Sequence, residues 1–175
     1  LRVMSFNIRN SYAKDGVNRW ENRKGLVYSV TRDYAPDVLG LQEANSFQLE
    51  ELSHEFPQYG KVGEGSMGGA KGQYSAILFL KKRFKLSDSG SFWLSETPTE
   101  PSKSWRSAHH RICTWAELLD KESQQTIYVY NTHMDDGSRK ARENGARMIM
   151  DHIQKKAESS PFLLMGDFNA PEDSE

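Results

Sequence analysis

Two residues near the C-terminal end carry the strongest chemical signal: Asp167 and Asn169, in Gly166-Asp167-Phe168-Asn169-Ala170. On an extended backbone residues two apart point to the same side. An acid that can order a water and take its proton would then stand beside an amide that can donate to an anionic oxygen. A plain turn at a strand end uses the same residue types, because Asp and Asn tolerate turn geometry. Partners elsewhere decide between the two, and polar residues at the ends of apolar stretches supply them: Asn7, Glu43, Arg111, His133 and Asp135. Each has a structural reading of its own, as a turn cap, a surface carboxylate, a salt-bridge partner or a half-buried histidine. Brought together at the rim of a layered fold they would line one crevice. Glu43, helped by Asn7, offers the oxygen ligands that Mg2+ or Mn2+ takes. No Cys-rich or His-Glu-x-x-His pattern points to zinc.

Strands and helices must position these groups. Residues 2–9 alternate, with Val3, Ser5 and Asn7 on one face and Met4, Phe6 and Ile8 on the other, which predicts a strand. A polar loop follows, and Asn18 is placed to cap a helix whose apolar stripe is Trp20, Val27, Val30 and Tyr34, ending before Pro36. Residues 37–43 read as a second strand and residues 47–56 as a short amphipathic helix. The stretch 60–72 holds Gly63, Gly65, Gly68, Gly69 and Gly72 but runs into a strand, not into Gly-Lys-Ser/Thr and a helix. It therefore reads as a mobile surface loop and not as a phosphate cradle. Strand patterns follow at 74–80, 84–86, 91–94, 112–119 and 126–132, broken by a long polar insertion at 95–110 that carries Trp105, His109 and His110. Insertions of that length in compact domains are commonly functional. Residues 139–156 form a helix over a stripe of Ala141, Met148, Ile149 and Ile153, and the uninterrupted apolar run 162–165 reads as a buried strand.

The totals bound the function classes. The 175 residues suit one domain, 1–175, and 37% hydrophobic with 27% charged residues suits a globular chain, not a disordered one. Lys and Arg number 23 against 24 Asp and Glu, so no global field draws nucleic acid. That balance fits a small or short phosphate substrate better than duplex DNA. Cys113 is the single cysteine and reads as a small core side chain. No apolar run approaches the roughly 18 residues of a membrane span. The chain opens at Leu1 directly in a strand pattern, so a leader would be invisible and localisation stays open. A monomer is expected.

Taken in order, Met4-Ser5-Phe6-Asn7-Ile8-Arg9, Leu41-Gln42-Glu43, Asn131-Thr132-His133 and Gly166-Asp167-Phe168-Asn169 resemble the successive motifs of the endonuclease/exonuclease/phosphatase superfamily. Residues 92–98 and Arg111-x-x-Thr114-Trp115 are more similar to its bacterial branch akin to deadenylases. The resemblance implies a four-layer α/β sandwich, two mostly antiparallel sheets flanked by helices, and a Mg2+- or Mn2+-dependent phosphoester hydrolase. Its substrate would be a phosphodiester, with RNA or single-stranded DNA among the candidates, or alternatively a phosphomonoester or lipid headgroup. Carried over by motif, Glu43 and Asn7 would serve the metal. Asp167 would orient and activate water, Asn169 would hold the phosphate, and His133 would donate to a phosphate oxygen or act as an acid. Arg111 is placed for a further phosphate contact or for a salt bridge, and Trp93 and Trp105 for stacking on a base or for the core. Two departures stand out. Gln73 replaces the Glu of the family's Gly-Glu-Tyr, and a later Asp and a Ser-Asp-His motif, with the last strands, are expected past Glu175. Without those motifs the same fold would serve as a non-catalytic binding domain.

Overall fold

The computed structural model describes residues 1–172. Its first sheet is built from β1 (Val3–Asn7), β2 (Val38–Ala44), β3 (Tyr59–Val62) and β4 (Tyr74–Leu80), in the order β1-β2-β4-β3. The second holds β5 (Phe84–Trp93), β6 (Ile112–Asp120), β7 (Thr126–His133) and β8 (Phe162–Asp167) in sequence order. Both sheets are mixed. Only β1–β2 and β7–β8 are parallel, and each of these pairs is joined through a helix, because a parallel connection must cross from one end of the sheet to the other. The crossovers are α1 (Trp20–Tyr34) and α3 (Arg139–Ala157), while α2 (Ser46–Glu55) follows β2. Two β-α-β units therefore aim the C-terminal ends of β1, β2, β7 and β8 at one rim.

Three apolar clusters stack the layers. Trp20 and Val27 of α1 and Leu49 and Leu52 of α2 pack on Leu39 and Leu41 of β2. Val38, Ile77 and Phe79 face Ala116, Leu118, Val129 and Met165 between the sheets. Ile149 and Ile153 of α3 cover Cys113, Trp115 and Tyr130. Each large apolar side chain so buried contributes about 1.5–3 kcal/mol. The arrangement is the four-layer α/β sandwich expected from the motifs, and Cys113 is fully in the core.

Several local expectations change. Asn18 lies in a 3-10 turn (Gly16–Asn18), and the N-cap of α1 is Arg19, which makes no side-chain capping bond. Val30 and Tyr34 are exposed, because Thr31 takes the inner position and returns its hydroxyl to Val27 O at 2.8 Å. Helix α2 has the stronger start: Asn45 accepts from Gln48 N, and Gln48 reaches back to Asn45 N, both at 3.1 Å. The glycine-rich stretch is not open loop throughout. Its start is β3, and residues 65–73 fold on themselves through Gly65 N to Gly69 O (2.7 Å), Ser66 N to Gln73 O (2.9 Å) and Met67 N to Lys71 O (3.0 Å). The two short strands foreseen at 84–86 and 91–94 are one strand, β5, bent by a register shift between Leu86 and Asp88. Finally, β8 pairs with β7 at the end of the strand order among the described residues, and its first residue, Phe162, is exposed while Met165 is buried.

Candidate active site

Four strand ends meet at the rim, and one amide binds two of them. Asn7 Nδ2 donates to Glu43 Oε1 at 3.0 Å and to Asp167 Oδ2 at 2.9 Å. Asn7 closes β1, Glu43 sits near the end of β2 and Asp167 closes β8, so this single side chain ties the two sheets together where both acids emerge. Close approach is also built into the backbone: a Cβ on Gly166 would come within 2.6 Å of Thr132 O. The glycine ahead of Asp167 thus lets β8 lie tight against β7.

The second half of the cluster is His133 with Asn169. Asn169 Nδ2 reaches His133 Nε2 and Met134 O, each at 2.9 Å, and Asn169 N donates to Asp167 Oδ1 at 3.1 Å. His133 Nε2 lies 3.6 Å from Asp167 Oδ2. Three rim residues, Arg9, Glu43 and Asn169, are non-glycine yet left-handed, with φ of 54°, 62° and 47°. Such conformations cost of order 1–3 kcal/mol each and persist where surroundings impose them. For Glu43 the imposing feature is a bulge in the β2–β4 ladder between Leu41 and Ala44, a device that re-aims a side chain. For Arg9 it is a clamp on its carbonyl by Arg23 Nη2 (2.6 Å) and Gln48 Nε2 (2.9 Å).

The electrostatics follow from these bonds. Burial pushes the Glu43 carboxyl up, but donors from Asn7 and from Asn10 N and Nδ2 (3.3 and 3.1 Å) outweigh it and hold the group below the ordinary carboxylate range. Asp167 is likewise raised by burial and lowered further by Asn7 and the Asn169 N–H, with a net downward shift. Burial, then the charge of Arg111, push His133 below its ordinary value. A neutral ring with Nε2 accepting from the Asn169 amide fits that direction. The neutral ring keeps one N–H with which His133 can donate, whereas action as an acid would first require protonation, which burial and Arg111 both oppose.

Glu43, His133, Asp167 and Asn169 line a crevice of about 290 Å3, to which Arg9, Asn10, Gln73, His109, Arg111 and Asp136 also belong. Arg111 makes the salt bridge, with its Nη2 3.0 Å from Asp136 Oδ1, and it also lines the crevice. Trp93 does not present a stacking face. It is 5% exposed, and its indole donates to Ser66 O at 2.7 Å, pinning the glycine-rich turn. The alternation at residues 2–9 carries Arg9 as the end of a strand and gives Asn10 no role, but β1 ends at Asn7 and both residues stand in the loop beyond it, where they reach the crevice. Gln73, in place of the family's Glu, shares the crevice with His133.

The donor set suits a hard divalent cation. Glu43 and Asp167 offer carboxylate oxygens on either side of the Asn7 amide, whose own Oδ1 accepts from Arg9 N at 2.9 Å, and among the described residues no group of three His, Cys, Asp or Glu converges. One or two carboxylates, completed by water and substrate phosphate, is the Mg2+ style of site; a closed protein cage is not.

Comparison with known proteins places this geometry in context. The model of the "Endonuclease/Exonuclease/phosphatase family" matches residues 4–175. Among solved structures, a mannosyl-6-phosphatase from Bacteroides thetaiotaomicron is 32% identical with a TM-score of 0.95, over 100% of this chain and 67% of that one. The human Nocturnin catalytic domain with a bound sulfate anion is 26% identical with a TM-score of 0.81, over 99% of this chain and 66% of that one. Human Nocturnin as a whole is 26% identical over 200 residues, which cover 97% of this chain and 43% of Nocturnin.

Proposed function

Since the chain belongs to the endonuclease/exonuclease/phosphatase family, we propose that it is a divalent-metal-dependent phosphoester hydrolase whose substrate is a small phosphomonoester, of the sugar-phosphate kind. The observation that carries the hydrolase reading is the Asn7 amide joining Glu43 and Asp167 beside the His133–Asn169 pair. Glu43 and Asp167, supported by the Asn7 amide, would hold Mg2+ or Mn2+, which when bound supplies positive charge against the phosphoryl oxygens. The chain's own groups do the rest. Asp167, with a depressed pKa, is a weak proton acceptor, and its role is to orient the attacking water more than to deprotonate it. Arg111 donates to the non-bridging oxygens, where charge grows during in-line displacement, while the two Asn169 side-chain N–H groups, engaged by His133 Nε2 and Met134 O, hold that edge of the site in place. His133 stays neutral and fixes the Asn169 amide.

Three observations favour a small monoester over a nucleic acid. Trp93 is buried and offers no base platform. The chain carries a net charge of -1, whereas nucleic-acid tracks are usually basic. The structural relative at 32% identity is a mannosyl-6-phosphatase. Phosphate release from mannose 6-phosphate and from 5′-phosphorylated oligo-RNA, with Mg2+ and with EDTA, tests the reading. Mg2+-dependent release from the sugar phosphate is expected to dominate. Faster cleavage of the RNA chain would replace the monoester by a nuclease, and release that survives EDTA would remove the metal from the proposal.

A further inference from the structure

We propose that Asp135 is a positioning residue for phosphate recognition: it fixes the 104–109 turn and the Arg111 guanidinium as one wall of the crevice. The proposal rests on the phosphoester reading above. Asp135 follows β7 by two residues and is 2% exposed. Its Oδ1 accepts from Gly137 N (3.1 Å) and Ser138 N (2.8 Å), as an Asp ahead of a helix often does. Helix α3 does not need it as a cap, because Ser138 Oγ already accepts from Ala141 N at 3.2 Å. The other oxygen turns to the long insertion, accepting from Ser107 Oγ (2.7 Å), Ala108 N (3.0 Å) and His109 N (3.5 Å).

What Asp135 holds is under strain. Trp105 and Arg106 are consecutive left-handed residues, φ 55° and 63°, closed by Ser107 N to Ser104 O at 2.9 Å. Two positive φ values in a closed four-residue turn normally call for Asn-Gly. A Trp-Arg pair there persists because it is gripped from both sides: Ser138 Oγ donates to Trp105 O at 2.7 Å, and Asp135 takes the next three residues. The grip delivers His109 to the crevice.

The charge of Asp135 does the rest. A buried carboxylate is costly unless paired, and Arg111 Nε stands 3.7 Å from Asp135 Oδ2. That is an ion pair but too long for a hydrogen bond. Arg111 Nε is buried with no hydrogen-bond partner among the described residues, and its Nη2 is bonded to the exposed Asp136. Asp135 thus places the guanidinium without consuming its N–H groups, and an incoming phosphate competes only with a solvent-facing carboxylate.

Titration calorimetry with inorganic phosphate in the presence of Mg2+ tests this on four proteins: wild type, Asp135→Asn, Arg111→Met and the double variant. Asp135→Asn is expected to weaken phosphate binding about tenfold, the equivalent of about 1.4 kcal/mol, and to cause no further loss in the Arg111→Met background. Unchanged affinity in Asp135→Asn, or equal losses in both backgrounds, overturns the proposal. No phosphate binding by the wild type overturns the phosphoester reading and the proposal with it, and so is distinguishable from the first failure. Should Asp135→Asn not fold, Ser107→Ala takes its place. A loss of about threefold that disappears in the Arg111→Met background supports the proposal, and no loss or an equal loss in both overturns it.

Discussion

At the scale of single residues, the site turns on one neutral amide shared by two acids. Asn7 lowers both Glu43 and Asp167 against a burial that works in the other direction. Removing it leaves burial less opposed, so both carboxyls shift upward and their hold on a cation weakens. Asn7→Ala is therefore expected to raise the Mg2+ concentration for half-maximal activity about 10- to 100-fold, read by titrating Mg2+ against phosphate release. An unchanged Mg2+ requirement would remove Asn7 from the metal's support. His133 predicts the pH profile. Its folded-state value is depressed by burial and Arg111, so the neutral, active ring persists below the ordinary histidine value of about 6.5. The acid limb of kcat/KM should lie below that value, with activity full above it and lost as pH falls through the depressed pKa. His133→Gln should abolish that limb, and a limb at or above the ordinary value would contradict the assigned neutral form. The sequence made Asn7, Glu43, His133, Asp167 and Asn169 legible because each stands at, or just past, the end of a strand pattern, alternating at residues 2–9 and continuously apolar at 162–165. It could not show that Asn7 bridges the acids, since that bond joins residues 160 apart in sequence.

At the scale of elements, periodicity identified helices and strands wherever one face is cleanly apolar, and failed where a tertiary partner decides. Strand β3 was hidden by Gly60, and the middle of β5 by its exposed polar residues. The place of β8 beside β7 is a fact of sheet order, which no local run of Leu and Met encodes. Trp93 shows the same limit, because its type allowed stacking or core and only its bond to Ser66 O decides. Trp93→Phe keeps the ring in place but removes that donor. It should cost about 1–2 kcal/mol, seen as a lower midpoint in urea, and should speed amide exchange at residues 66–73. Because the ring is not a base platform, sugar-phosphate and oligonucleotide affinities should change by the same factor. A loss confined to oligonucleotides would restore the stacking role.

At the scale of the molecule, two clasps at opposite rims hold the sheets in the alignment that makes the four strand ends converge. Away from the site, Arg83 reaches Asp37 Oδ2 and Asp120 Oδ2, both at 2.9 Å, joining the start of β2 to the end of β6. Beneath the site the clasp is Asn131, fully buried on β7, which donates to Leu41 O (2.9 Å) and Ala76 O (2.8 Å) of the other sheet and accepts from Gln42 Nε2 at 2.7 Å. Room for it exists because residue 40 is glycine: a Cβ there would sit 2.9 Å from Asn131 Oδ1. Asn131 stands two residues before His133, and Gln42 one before Glu43, so this polar plug sets the spacing between the two halves of the crevice. Asn131→Leu fills the same volume but strips donors from two carbonyls and an acceptor from Gln42, which should cost about 3 kcal/mol or more. It should also weaken phosphate binding in the fraction that stays folded. Arg83→Met should lower Tm while leaving phosphate affinity as it was, because its clasp lies at the other rim. Measuring Tm and phosphate affinity on both variants separates the two effects. If Arg83→Met disturbs phosphate binding as much as Asn131→Leu, the sheets move as one rigid block and Asn131 has no special part in setting the site.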